Sequence, residues 1–182
     1  MSKLRPIGDF GKLFAKLSFD AYMSRDPAAV LIQDVKSASF QLSTDDTDAT
    51  VEFLLAVGKN PDETKGSDLR RVQRDLAYMV AILRAPSKPA DERMLIGSSA
   101  SCDILMPEES VSREHAWIQR QGDEYFIEDA HSTNGTWVES TCLLPGKQHK
   151  LTPGDRVTLG NTELIFLDPA GFYTFVKRLL RI

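Results

Sequence analysis

The sequence predicts a mainly β protein: an antiparallel β-sandwich that follows a helical or mixed N-terminal region and precedes a short C-terminal helix. Three observations predict this fold class. Short apolar runs follow one another at close, fairly even spacing from residue 76 onward, turn residues separate them, and the clearest helical periodicity lies near the two chain ends. Many short strands joined by turns are typical of sandwiches and barrels.

We place the sandwich at residues 76–168 because the apolar runs fall there. Gly, Pro and Asn, which favour turns, separate the runs. The runs are LAYMVAIL, RMLIG, HAWIQR, EYFIED, GTWVES, DRVTLG and TELIFL. The breaks include Asn134-Gly135, Pro145-Gly146, Pro153-Gly154 and Gly160-Asn161.

A C-terminal helix is predicted over residues 169–182. Asp168 is placed to cap it, and Pro169 suits the first helical position. Four apolar residues at helical spacing predict its buried stripe. They are Phe172, Phe175, Val176 and Leu179.

Residues 1–75 are predicted to form an accessory region with a helix and a few strands. Apolar residues at helical spacing predict a helix over 8–24, with Asp9 as its cap and Pro27 beyond its end. The runs AAVLIQDV, SASFQL and TVEFLLAV read as strands, and Gly58–Asp68 is polar enough for a linker. Whether this region folds separately stays open.

Composition excludes several classes of function. A net charge of −4 argues against general nucleic-acid binding, which needs a basic face. The longest apolar runs are far shorter than the ~20 residues of a membrane span, so we expect a cytoplasmic protein without a membrane partner. The two cysteines, Cys102 and Cys142, have no metal-ligand spacing, so no metal site, cofactor or disulfide framework is predicted.

Three segments of the sandwich carry a recognisable pattern. They are Ile96-Gly97-Ser98, Val111-Ser112-Arg113-Glu114-His115 and Asp129-Ala130-His131-Ser132-Thr133-Asn134-Gly135-Thr136, followed by LTPGDRVTLG and ELIFLD. In this order they resemble the forkhead-associated (FHA) domain, a phosphothreonine-peptide-binding β-sandwich, over about residues 76–167. The C-terminal DPAGFYTFVKRL is similar to the helix that follows this domain in some bacterial members, which implies a bacterial-type member with an N-terminal extension.

The resemblance implies a role for each motif residue. Ser112 would donate its hydroxyl and amide to the phosphate, and Arg113 would add positive charge. Thr133 would contact the phosphate or the threonine, and Asn134 would bond the peptide backbone. A doubly charged group with three acceptor oxygens needs such converging donors and a cation. The residues expected to hold loop geometry are Gly97, His115, Gly135 and Thr136.

The sequence departs from the family pattern at one position. The first segment usually reads Gly-Arg, and that arginine contacts the phosphate, whereas Ser98 stands here. Two outcomes stay open. Either Arg113 becomes the main cation, aided by Ser98 or Ser99, or the pocket has lost phosphate binding and the domain works through another surface.

A hydrolytic enzyme is an alternative hypothesis, because Ser112, His115 and Asp129 have the composition of a hydrolytic triad. No Gly-x-Ser-x-Gly elbow is present, and a three-residue offset tends to place Ser112 and His115 on opposite faces of a strand. We therefore predict no enzyme. Trp117 and Trp137 flank the motifs and are predicted to lie in the core.

The predicted function is a signalling adaptor that reads phosphothreonine on a partner protein, such as a Ser/Thr kinase or its substrate. The alternative is a phosphate-independent scaffolding module with a degenerate pocket. A further hypothesis concerns the acidic segment STDDTDAT. One of Thr44, Thr47 and Thr50 would be phosphorylated and dock into the protein's own pocket, in cis or in a partner.

Overall fold

The computed structural model describes residues 4–25, 27–34, 78–83 and 93–180. Its strands are β1 Arg5–Pro6, β2 Val30–Asp34, β3 Tyr78–Ile82, β4 Arg93–Gly97, β5 Ile104–Leu105, β6 Ala116–Gln121, β7 Glu124–Asp129, β8 Thr136–Val138, β9 Thr141–Cys142, β10 His149–Leu151, β11 Arg156–Leu159 and β12 Thr162–Leu167. Its helices are α1 Gly8–Ala15, α2 Phe19–Met23 and α3 Pro169–Leu180.

The strands form two sheets. One has the order β1-β3-β2-β12-β11-β8-β9, and the other has the order β10-β7-β6-β4-β5. Among the strands that the structure describes, every pairing is antiparallel except the parallel pair β4–β5. The predicted mainly β, antiparallel fold is confirmed, and each of the seven apolar runs contains a strand. The strands that the sequence analysis missed, namely β1, β5, β9 and β10, have only two or three residues, too few to show a period.

The main core lies between the two sheets. Along β7 and β12 buried and less buried residues alternate, as expected when one face of a strand is covered. Leu31, Val157 and Leu164 come from the seven-stranded sheet, whereas Ile118 and Ile127 come from the five-stranded one.

A second core covers the outer face of the seven-stranded sheet. Strand β2 is buried on both faces, because Leu31 points into the sandwich while Val30 and Ile32 meet the helices. Phe14 of α1 and Phe172 of α3 meet edge to face, with ring centroids 5.6 Å apart. The helices at the two chain ends therefore pack on one sheet and on each other.

The N-terminal part of the chain supplies strands to this sheet. Strand β2 lies between β3 and β12, with Val30 opposite both Ile82 and Leu167. The sheet thus contains strands from both sides of the predicted division at residues 75 and 76. The predicted strands SASFQL and TVEFLLAV, the linker Gly58–Asp68 and the threonines 44, 47 and 50 lie outside the described residues.

The single helix predicted over residues 8–24 is two helices, so that prediction was wrong in its continuity. The hydroxyl of Ser18 accepts a hydrogen bond from the Ala21 amide and starts α2 as a new helix. Asp9 is not the cap of α1, because it lies within the first turn and pairs with Arg5. The break brings the ring centroids of Phe14 and Tyr22 to a distance of 5.0 Å.

The C-terminal helix begins as predicted. Asp168 Oδ1 accepts the Gly171 amide hydrogen at 2.8 Å, and Pro169 is the first helical residue. Phe172 and Val176 are buried, and Phe175 and Leu179 are partly buried against the same cluster. Within the residues that the structure describes, no helix has the length and apolar character needed to cross a bilayer.

Candidate functional site

Four connections meet at one end of the sandwich. They are the loop after β4, the loop between β5 and β6, the loop between β7 and β8, and the turn between β11 and β12. The Thr133 amide donates to Ser112 Oγ at 2.9 Å, and the Gly160 amide donates to the Gly135 carbonyl at 3.0 Å. The structure thus brings together the three segments that the sequence analysis singled out.

The ring of His115 joins two of these loops. It is fully buried, and its Nδ1 accepts the Ser112 amide hydrogen at 2.9 Å. Since Nδ1 accepts, Nε2 carries the ring hydrogen and donates it to the Gly135 carbonyl 3.1 Å away. The neutral imidazole therefore holds Ser112 and Gly135 at a fixed separation, in keeping with the loop-holding role that the resemblance implies.

Burial lowers the pKa of His115 from its ordinary value of 6.5, and this effect outweighs the Gly135 hydrogen bond and the nearby Asp129 charge. A folded-state pKa below the unfolded value means that the unfolded chain takes up a proton first as the pH falls. The stability contributed by neutral His115 is therefore complete above about pH 6.5 and declines below it.

We expect the free energy of unfolding, measured with urea between pH 8 and pH 5, to fall toward the acid end in the wild-type protein. His115→Asn should remove most of that dependence while lowering stability at every pH. His131→Asn, which removes an exposed ring, is the control. An unchanged pH slope in His115→Asn would show that other groups cause it.

A buried carboxylate braces the loop between β7 and β8. Asp129 Oδ1 accepts from the hydroxyls of Ser132 at 2.6 Å and Thr136 at 2.7 Å, and Oδ2 accepts the Ser132 amide hydrogen. Burial alone raises the pKa of Asp129, but these bonds outweigh it and lower the pKa below 3.8. Thr136 thus has a structural contact, and Ser132 is a loop residue that the sequence analysis missed.

The candidate triad does not form in this structure. Both ring nitrogens of His115 are bonded to backbone groups, and the hydroxyl of Ser112 accepts a hydrogen bond from the Thr133 amide. The Asp129 carboxylate is bonded to Ser132 and Thr136. The nucleophile–base and base–carboxylate bonds that a triad requires are therefore missing.

Ser112 keeps one donor for a ligand. Its oxygen accepts from Thr133, so its hydroxyl hydrogen is available for another acceptor. Its amide was expected to reach a phosphate, but in the structure that amide donates to His115. The hydroxyl is therefore the group of Ser112 that this geometry offers to an anion.

Arg113 is exposed next to Ser112. Its backbone carbonyl is held by the Ser99 amide and by the Cys102 thiol, both at 3.1 Å. Within residues 4–25, 27–34, 78–83 and 93–180, its guanidinium makes no ion pair or hydrogen bond. An exposed cation is thus carried by the residue that follows Ser112.

The amide of Asn134 is oriented by a residue that the sequence analysis missed. Asn134 Nδ2 donates to the Ser110 carbonyl at 2.9 Å, which leaves Oδ1 and one N–H hydrogen for a ligand. The Ser110 hydroxyl in turn accepts the Asn161 amide hydrogen at 3.0 Å. Thr133 and Asn134 are both exposed. The only sequence signal for Ser110 was its place directly before the Ser112 motif.

Ser98 lies in the loop cluster, but its hydroxyl hydrogen is already used. Ser98 Oγ donates to the Val111 carbonyl at 3.0 Å. The hydroxyl of Ser99 is likewise paired, with that of Ser101 at 2.8 Å. Neither serine replaces the missing arginine as a cation.

The prediction that both tryptophans lie in the core was wrong for Trp137. Its side chain is 39% exposed, because Thr136 and Val138 take the inward positions of β8. Trp117 is half-buried and packs under the Arg93 guanidinium, 5.1 Å from its ring centroid.

Comparison with known families agrees with this loop arrangement. The family model described as the FHA domain matches residues 94–160. The chain carries an FHA domain. The match runs from β4 to the end of β11 and includes every residue of the three motifs from Gly97 to Thr136.

Curated relatives share this domain. Over 57 residues, 31% of this chain, it is 51% identical to protein FraH of Nostoc sp.. Over 77 residues, 42% of this chain, it is 35% identical to an oxoglutarate dehydrogenase inhibitor of Corynebacterium jeikeium. The matches span 20% and 51% of those two proteins, so the chain covers less than two thirds of their lengths.

Solved FHA domains are also similar. The FhaA FHA domain, solved in complex with the intracellular domain of Rv3910, is 29% identical with a TM-score of 0.41, over 48% of this chain and 86% of that one. The FHA domain of CT664 protein from Chlamydia trachomatis is 28% identical with a TM-score of 0.42, over 49% of this chain and 84% of that one.

Proposed function

We propose that this FHA domain is a non-enzymatic adaptor that binds a phosphothreonine-containing segment of a partner protein. The observation that carries the proposal is the hydrogen bond from the Thr133 amide to Ser112 Oγ, 2.9 Å long. It joins the loop that carries Ser112 and Arg113 to the loop that carries Thr133 and Asn134, and so places their polar side chains on one small surface.

The unused groups on this surface match a phosphorylated threonine. The Ser112 hydroxyl hydrogen and the exposed Arg113 guanidinium supply donors and positive charge for the phosphate. The exposed Thr133 hydroxyl adds a further donor. Asn134, anchored on Ser110, offers an acceptor and a donor to the backbone of an extended peptide.

The phosphate-independent alternative is less well supported. It is favoured if Arg113 is buried and turned away from Ser112, because the pocket then has no cation. Arg113 is instead exposed and unpaired among the described residues. The partner that we propose is a Ser/Thr kinase or a substrate of such a kinase.

The test is fluorescence anisotropy with a labelled degenerate peptide library that has a fixed central phosphothreonine. We expect binding that requires the phosphate and weakens about 10- to 150-fold in Ser112→Ala, since a hydrogen bond to a charged group contributes about 1.5–3 kcal/mol. Unphosphorylated peptides and Ser140→Ala, at an exposed serine of the β8–β9 turn, are the controls. Equal affinity for the unphosphorylated library would favour the scaffolding alternative.

A further inference from the structure

The loop after β4, which lacks the family's arginine, holds the loop that carries Ser112 and Arg113. Three consecutive carbonyls, those of residues 111–113, accept hydrogen bonds from it. Ser98 supplies two of the donors, its hydroxyl to Val111 and its amide to Ser112, both at 3.0 Å. The Arg113 carbonyl accepts from the Ser99 amide and the Cys102 thiol, both at 3.1 Å.

Two of these four donors depend on side-chain identity. Any residue except proline could supply the two amides. The hydroxyl of Ser98 and the thiol of Cys102 are the donors that this sequence adds. Both donate to backbone carbonyls of the proposed phosphate-binding loop.

The packing around this contact is tight. Cys102 is fully buried, and burial raises the pKa of its thiol, which keeps the hydrogen that the bond to Arg113 needs. A Cβ atom on Gly97 would lie 2.3 Å from the Arg113 carbonyl oxygen and 2.9 Å from Cys102 Sγ. Glycine at position 97 is thus what allows the thiol to reach the carbonyl.

We propose that Ser98 and Cys102 are positioning residues, which fix the backbone of residues 111–113 so that the Ser112 hydroxyl and the Arg113 guanidinium are in place before the peptide arrives. The inference rests on the proposed function. Fixing a binding loop in advance reduces the ordering that accompanies association. In this chain the first motif segment would thereby support Arg113 instead of supplying a cation itself.

The experiment measures the affinity of the full chain for the tightest-binding peptide from the phosphothreonine library. Ser98→Ala and Cys102→Ala each remove one donor, and Cys102→Ser keeps a donor at that position. Ser101→Ala and Cys142→Ala are matched controls, since both residues are exposed and neither side chain has a hydrogen bond to residues 111–113. Urea unfolding establishes that each variant is folded at the assay temperature.

We expect Ser98→Ala and Cys102→Ala each to weaken binding by about three- to tenfold, as for one lost neutral hydrogen bond, with recovery in Cys102→Ser. A double-mutant cycle separates positioning from a general loss of stability. If Ser98 acts through Arg113, the loss caused by Arg113→Ala should be at least about twofold smaller in the Ser98→Ala background.

Wild-type affinity in both folded alanine variants, or losses that simply multiply with that of Arg113→Ala, would overturn the positioning role while leaving phosphothreonine binding intact. If the wild-type protein binds no phosphopeptide, the proposed function fails and the positioning role falls with it. The two failures are therefore distinct.

Discussion

Arg113→Ala should weaken phosphothreonine binding about 10- to 150-fold, with little change in stability. Arg113 is exposed and makes no ion pair within the described part of the chain, so its removal leaves no buried group unpaired. In the complex its loss would remove a charged hydrogen bond of about 1.5–3 kcal/mol. Because Ser98 stands where the family has arginine, no second cation in that segment compensates.

The measurement is anisotropy with the phosphothreonine library at two salt concentrations. Arg156→Ala is the charge-matched control, because Arg156 is exposed on β11 of the other sheet. Arg113→Lys should fall between wild type and alanine, since lysine keeps the charge but loses the bidentate geometry. If Arg113→Ala binds like Arg156→Ala, another cation neutralises the phosphate, and our assignment of Arg113 is wrong.

The sandwich was predictable because its longer strands lie in short apolar runs that turn residues separate. The apolar runs located β3, β4, β6, β7, β8, β11 and β12, and the turns fell at Gly and Pro. The break between α1 and α2 was missed because Phe10, Phe14 and Leu17 keep one helical period beyond the last residue of α1. It depends on the Ser18 cap and on packing against α3, which is distant in sequence.

Only the site residues that lie within the three motifs could be predicted from the sequence. The resemblance picked out Ser112, Arg113, Thr133 and Asn134, and all four lie in the loops that meet. It could not show that the Ser98 hydroxyl donates to the Val111 carbonyl, or that the Ser112 amide donates to His115 Nδ1. Which acceptor a donor meets depends on distances between loops, and no local sequence pattern encodes them.

Two further contacts that hold the site together come from residues outside the three motifs. Ser110 holds Asn134, and Cys102 holds Arg113, because two loops approach closely at glycines. A Cβ atom on Gly160 would lie 2.2 Å from the Ser110 carbonyl oxygen, just as one on Gly97 would meet the Arg113 carbonyl. Gly97 at the end of β4 and Gly160 in the turn after β11 thus both border the loop that carries Ser112.

Gly160→Ala should be among the most destabilising single changes in the domain. Its φ of +62° costs alanine about 1–2 kcal/mol, and the contact with Ser110 adds an overpacking cost of about 1–3 kcal/mol. Gly122 provides a matched control, since it has the same φ of +62° but nothing within 4 Å of its Cβ position. Gly122→Ala should therefore show the backbone cost alone.

The comparison is made by urea unfolding of both variants, followed by phosphopeptide binding under conditions in which both are folded. We expect Gly160→Ala to be less stable than Gly122→Ala by about 1–3 kcal/mol. It should also bind more weakly, because relief of the clash moves the Ser110 carbonyl that holds Asn134. Equal stability of the two variants would contradict the close approach. Unequal stability with equal affinity would mean that the position of Ser110 does not control Asn134, and that the site tolerates movement of this loop.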